Sequence, residues 1–338
     1  MQTEKKQLLI YVIVAYGITY VQGLLMWYGY GKDLDLSAFP KAQMLYPAAG
    51  VMMAYLITKK EDKNLPKTFY IFFVALTAVL VVCTAASVLA PKNIDLMGTM
   101  FSQWGLILEC IMIGGSVIFW LLLLASGNEK CRVYGLNSGH WNISVLMILL
   151  FIGLYLLRFL IASAFRGRLS EFGKIIANPA TWSMFFTVLM NFFISVVAFF
   201  GEEYGWRYYL QPLLQKKFGL KGGVILLGCV WAVWHLPIDF FYYTTPDMGL
   251  TALASQFVTC ISLGLFMAYT YMKTQNIWVP IIIHFLNNNM VVVFSGTYSA
   301  DVLQNQQIHW GDIPVALVIN LLLFGWVIFL KSFKEKKE

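Results

Sequence analysis

The sequence predicts an all-α, polytopic bundle of about ten membrane-spanning helices, and three observations lead there. Hydrophobic residues make up 59% of the 338 and charged residues only 12%, whereas about a quarter of residues are charged in soluble domains. The apolar residues gather in runs of about 16 to 24, the length that crosses a hydrocarbon core of roughly 30 Å at 1.5 Å per residue. These runs lack the strict two-residue alternation of membrane strands. A backbone inside lipid must satisfy its own polar groups, so helices are expected and a barrel is not.

Taken in order, the expected spans are 8–28, 43–58, 69–89, 104–126, 143–165, 181–200, 220–237, 251–272, 277–295 and 313–330. The first follows Lys5 and Lys6 as a signal sequence would, but it is too long and lacks a small-residue cleavage site, so it is read as a retained anchor. With the N-terminus inside, the basic groups at 59–67, 130–132, 216–221, Lys273 and the tail around Lys331, Lys334, Lys336 and Lys337 all fall on the inner side. Only Lys32, Lys41, Lys92, Arg166, Arg168 and Lys174 fall outside. That asymmetry is what the positive-inside rule demands, and an even number of spans returns the tail to the same face. Both termini are therefore expected to be cytoplasmic, in a multi-pass protein of a bacterial cell membrane. The polar stretch 166–180 is expected to be an interfacial helix or a plain loop. The chain divides into an N-terminal transmembrane region over 1–180, of unassigned role, a core over 181–300, and a final span with a basic tail over 301–338.

The net charge of +7 does not point to nucleic acid, because the basic residues are scattered through short loops and form no domain that could hold a polyanion. Four cysteines, Cys83, Cys110, Cys229 and Cys260, lie in apolar runs and Cys131 stands alone in a loop, so neither a disulfide framework nor a CxxC metal site is expected. Glu109 and Arg158 both fall within spans, where an unpaired charge is expensive, and the expectation is that they pair with each other. His140 and His309 fall in loops and are read as solvated.

Three groups of residues could carry chemistry. Two acids and a cation stand in Glu202-Glu203-Tyr204-Gly205-Trp206-Arg207, directly after an apolar run. On a helix Glu203 and Arg207 are one turn apart and can pair, while Glu202 points about 100° away with no charged partner in register. Alone, this group equally fits an interfacial ion pair. His235 closes the aromatic segment that begins at Trp231, just before Pro237; a single histidine at a span end is more often interfacial than functional. His284 lies inside its span and is followed one turn later by Asn288, so imidazole and carboxamide share a face. The flanking Asn287 and Asn289 leave open a merely polar packing face. Together, a Glu, two His and an Asn on consecutive apolar segments supply a general base, polarising groups and an amide donor, the roles that peptide hydrolysis requires.

The pattern E-E-x-x-x-R, then an aromatic residue four before a histidine, then H-x-x-x-N resembles the CPBP (Abi/CAAX prenyl protease-like) family over roughly residues 190–295. Trp231 stands where that pattern more often has Phe, which keeps an aromatic wall. The resemblance implies intramembrane proteolysis of a membrane-associated protein or peptide in the lipid bilayer. Glu202 would activate water, His235 would help to hold it, His284 and Asn288 would stabilise the oxyanion, and Glu203 with Arg207 would orient these groups. It also implies two catalytic types. Glu202, His235 and His284 would make a zinc set, but H-E-x-x-H is absent and an Asn beside His284 suits an oxyanion donor, so a site without metal or other cofactor is favoured.

Two rival readings use the same residues. Ten spans with buried ionisable groups and broken helices also describe transporters, although the first half carries no motif to match the second. A non-catalytic immunity or scaffold protein that holds a peptide would need the same cavity. Counting residues puts Glu202 near the inner face and His235 near the outer one, whereas one site needs one depth. Gly201 and Gly205 permit a break that would embed 202–215 and shorten or tilt 220–237.

Overall fold

The computed structural model describes residues 2–96, 98–298 and 300–334. Lys336 and Lys337 of the expected inner tail lie outside the described residues. The chain is all-α apart from a short hairpin, Asn93–Leu96 antiparallel to Thr99–Ser102 with Ile94 opposite Phe101, in a segment expected to be a loop. Six helical runs are long and apolar enough to cross a membrane: Gln2–Tyr30, Lys67–Leu89, Gln103–Ala125, Trp141–Phe165, Pro179–Trp234 and Gly249–Thr274. The run Pro179–Trp234 holds two of the expected spans, 181–200 and 220–237. The expected spans at 43–58, 277–295 and 313–330 form shorter apolar helices, Tyr46–Thr58, Trp278–Phe294 and Asp312–Leu323. The protein is thus an integral, multi-pass membrane protein.

The long run departs from regular α-helix twice. After Glu203 it widens into a π-turn over Tyr204–Leu210, a deviation that recurs at functional positions in helices. At Gly219 the backbone takes φ 74° and ψ 166°, a conformation that only glycine adopts without strain. Near Gly205 the helix widens and does not break, and the interruption falls at Gly219 instead.

Two compact units make up the chain. The first comprises Met1–Asn137, Phe193–Tyr209 and Leu236–Tyr242. In it Gln2–Tyr30 packs on Tyr46–Thr58, that helix on Lys67–Leu89, and Lys67–Leu89 on Gln103–Ala125. Phe119 and Phe200 meet with ring centroids 4.8 Å apart, and Phe69 and Phe73 close around them, at 5.0 Å from Phe119 and 5.6 Å from Phe200 respectively. Aromatic pairs at these separations add to the burial of apolar area.

The second unit comprises Ser138–Phe192, Leu210–His235 and Tyr243–Glu338. Gln211–Trp234 lies against Gly249–Thr274, and the contact is close because a Cβ on Gly228 would come within 2.7 Å of the Ile261 Cα. Trp141–Phe165 packs on Trp278–Phe294, and Asp312–Leu323 packs on Gly249–Thr274 and Trp141–Phe165. Within 166–180 the chain forms the helix Leu169–Ala177, with Phe172, Ile175 and Ile176 half-buried and the other residues exposed, the one-sided pattern of an interfacial helix.

One expected pair does not form. Glu109 pairs with Lys41, both about half exposed, because the short helix Ala38–Gln43 packs against Gln103–Ala125. Arg158 instead donates from Nη1 to the Asn320 Oδ1 over 3.4 Å and lies 4.4 Å from the centre of the Tyr155 ring. His140 and His309 are exposed, as expected, and none of the five cysteines forms a disulfide.

Candidate active site

Glu202, Glu203 and Arg207 belong to the first unit, and His235, His284 and Asn288 to the second. The acidic group is fully withdrawn from the surface: Glu202 is 2% exposed, Glu203 and Arg207 0%. Its seat explains how. Gly201 and Gly205 sit one turn apart against the backbone and ring of Met44–Pro47, where a Cβ on Gly201 would run into the Met44 carbonyl oxygen and one on Gly205 into Pro47. Small residues four apart let two helical segments approach this closely in a membrane.

The two adjacent acids meet different partners. Glu203 Oε2 lies 3.0 Å from Arg207 Nε, one turn away, the pair that the spacing predicts. Glu202 Oε2 accepts a hydrogen bond from the indole Nε1 of Trp206 over 3.3 Å. Trp206 is a neighbour of Glu202 that sequence reasoning missed. It stands four residues after Glu202, as Arg207 does after Glu203, but an indole beside an apolar run reads as packing. Trp206 is fully buried, with Tyr11 edge-on at 6.0 Å and Tyr16 at 6.2 Å. One carboxylate is thus bound to a cation and the other to a neutral donor.

In the second unit the histidines gather around Trp231. Its ring centroid is 5.9 Å from that of His235 and 5.4 Å from that of His284, the latter nearly perpendicular. His235 caps the helix Gln211–Trp234, and its Nδ1 lies 2.8 Å from the Trp231 carbonyl oxygen. A carbonyl only accepts, so Nδ1 carries the proton and Nε2 of the neutral ring presents a lone pair. His284 Nε2 lies 3.3 Å from Asn288 Nδ2, and Asn288 Oδ1 accepts from Asn287 Nδ2 over 3.0 Å. That second bond fixes which end of the Asn288 carboxamide faces the imidazole. The amide nitrogen donates to His284 Nε2 and carries a second N–H besides. Asn289 turns back to the Phe285 carbonyl over 2.9 Å, so the flanking amides support the helix and orient Asn288.

Among the described residues no three His, Cys, Asp or Glu side chains are arranged to hold a metal ion. Asp239 is a second residue that sequence reasoning missed. It is buried in the π-turn Asp239–Tyr243 after His235, and burial pushes its carboxyl well above the ordinary range.

Comparison with known proteins agrees with the motifs. The family model described as type II CAAX prenyl endopeptidase Rce1-like matches residues 179–290. A CAAX prenyl protease 2 from Methanococcus maripaludis is 26% identical over 183 residues, which cover 51% of this chain and 66% of the relative. The chain thus spans just under two thirds of the length of that curated relative. No solved structure matches the chain. The matched stretch contains the acidic group, the Trp231–His235 segment and the His284–Asn288 pair, and over it the chain is similar to the CPBP, or CAAX prenyl protease-like, family.

Proposed function

We propose that the chain is an intramembrane endopeptidase that hydrolyses a peptide bond of a membrane-associated protein or peptide. The observation that carries this reading is the unequal pairing of two adjacent buried carboxylates. Glu203 is held by Arg207 at 3.0 Å, whereas Glu202 meets the neutral indole N–H of Trp206. The first carboxylate is committed to holding a cation, and the second, which accepts from an indole N–H, is the better candidate to take a proton. Glu202 abstracts that proton from water, and the hydroxide formed adds to the scissile carbonyl. His235 holds the water through the lone pair on Nε2. Asn288 Nδ2–H and His284 stabilise the oxyanion of the tetrahedral intermediate, a contribution typically worth about 2.7–4 kcal/mol per donor. Glu203 and Arg207 keep the turn that carries Glu202 in place. Collapse of the intermediate returns the proton from Glu202 to the leaving amine.

This set supplies base and donors without a Lewis acid, so the reaction is assigned to a glutamate-type mechanism that needs no metal or other cofactor. The substrate belongs to the bilayer or its surface, by analogy with the relative's name. Both termini are assigned to the cytoplasmic side of the membrane, from the distribution of basic loops. The test is cleavage of a candidate membrane peptide by the purified protein beside Glu202→Ala. Cleavage by the first and not the second supports the proposal, and equal cleavage or none by either contradicts it.

A further inference from the structure

Arg158 lies seven residues before the end of the helix Trp141–Phe165, about 10 Å inside the span at 1.5 Å per residue. Glu109, the acid that could have balanced it, is engaged with Lys41. Among the described residues no carboxylate pairs with Arg158: it donates to the Asn320 Oδ1 at 3.4 Å, its flat face rests over Tyr155, and the Tyr155 hydroxyl is a second neutral partner. An amide oxygen and a phenol hydroxyl engage some of the five guanidinium N–H groups and neutralise none of the charge. An intramembrane cation with so little compensation marks a functional position.

The surroundings say what completes it. Arg158 lines a groove of about 490 Å³ beside the helices Trp141–Phe165 and Asp312–Leu323, within the range of about 300–1,000 Å³ for sites that hold small ligands. Its walls are apolar, formed by Phe159, Phe165, Val315 and Ile319, and the exposed Arg166 stands at the helix end. Asp312 also lines the groove, but its Oδ2 accepts from the backbone N–H of His309 over 3.0 Å. Two cations and one acid leave the groove net positive. A second cavity of about 340 Å³ shares Phe159, Ala162 and Arg166 with it, extending the apolar surface around the helix. The rings and side chains facing outward here, Phe165, Val315 and Val318, are exposed, so the groove opens towards lipid.

We propose that this groove binds an anionic phospholipid, with its phosphate on the Arg158 guanidinium and an acyl chain along Phe159, Val315 and Ile319. The planar fork of an arginine matches two phosphate oxygens. A phosphate drawn inward and an arginine reaching outward cover the distance to the helix end by snorkelling.

The experiment is thermal unfolding of the purified protein in detergent, titrated with phosphatidylglycerol or with phosphatidylcholine of identical chains. Phosphatidylglycerol raises the wild-type midpoint by several degrees more than phosphatidylcholine does, because binding to the folded state stabilises it. Arg158→Gln removes that difference, with half-saturation at about tenfold or more higher lipid, the loss expected for one charge-assisted hydrogen bond. Arg166→Gln, at the exposed end of the groove, weakens the preference by less. Equal stabilisation by the two lipids, or a preference unchanged in Arg158→Gln, overturns the proposal. So does stabilisation by oleate without phosphatidylglycerol, which would make the anion a free carboxylate. If Arg158→Gln does not fold, native mass spectrometry of wild type in an equimolar mixture decides: selective retention of phosphatidylglycerol supports the site, and equal retention overturns it.

Discussion

The hydroxyl of Tyr204, the residue that follows the two acids, donates to the main-chain carbonyl of Tyr134 over 2.8 Å and lies 2.6 Å from the Tyr70 hydroxyl. Tyr204 also stacks between Phe200 and Tyr208, at 5.0 and 4.5 Å. The turn that carries Glu202 and Glu203 is therefore tied to a loop about 70 residues earlier in the chain. Tyr204→Phe keeps the stacking and orphans the Tyr134 carbonyl and the Tyr70 hydroxyl. The expected cost is about 1–3 kcal/mol, read as an unfolding midpoint lower by several degrees in detergent. An unchanged midpoint would mean that stacking alone holds the turn.

The same loop gives a pH dependence. Tyr134 donates from its hydroxyl to Asp62 Oδ2 over 2.6 Å, and that bond, with the Asn64 backbone N–H, holds the Asp62 carboxyl below its ordinary value. Burial and then Asp62 itself push the Tyr134 phenol up, which keeps it a donor. A depressed carboxyl contributes stability that is fully present above the unfolded value of about 4 and is lost as pH falls through the folded value. The midpoint difference between wild type and Asp62→Asn should stay constant from pH 8 to 5 and shrink only below about 4. A difference that disappears between pH 7 and 5 would assign the effect to another group.

Topology gives a third outcome. With basic loops inside, single reporters at Lys63→Cys and Lys216→Cys in an otherwise cysteine-free protein should resist a membrane-impermeant thiol reagent in intact cells and react after lysis. Labelling of either in intact cells inverts the orientation.

Metal dependence gives a fourth. The assigned roles need no Lewis acid, so cleavage should survive exhaustive chelation with its rate unchanged. Loss of cleavage restored by stoichiometric zinc would reassign Glu202, His235 and His284 as ligands.

Much of the site was legible because one helical turn is a strong local rule. The spacing of Glu203 and Arg207 yields their ion pair, and that of His284 and Asn288 yields theirs. Apolar runs likewise announced the spans. What escaped depended on distant segments or on partners of another kind. Lys41 claims Glu109 from 68 residues away, and no periodicity reports that. The indole of Trp206 escaped because an aromatic side chain in an apolar context reads as packing. Gly201 and Gly205 were read for their flexibility, yet they serve equally to let Met44–Pro47 approach.

The central claim is that two neighbouring glutamates have different duties, and one pair of variants tests it. Cleavage of a membrane peptide and thermal unfolding are measured side by side for Glu202→Gln and Glu203→Gln. Glu202→Gln keeps the shape but removes the base, so kcat should fall by about 10² to 10⁴ with the unfolding midpoint little changed. Glu203→Gln leaves the charge of the fully buried Arg207 without its partner, which costs about 3–5 kcal/mol and should lower stability and activity together. Near-normal cleavage by Glu202→Gln, beside a stably folded but inactive Glu203→Gln, would contradict the account and exchange the two roles.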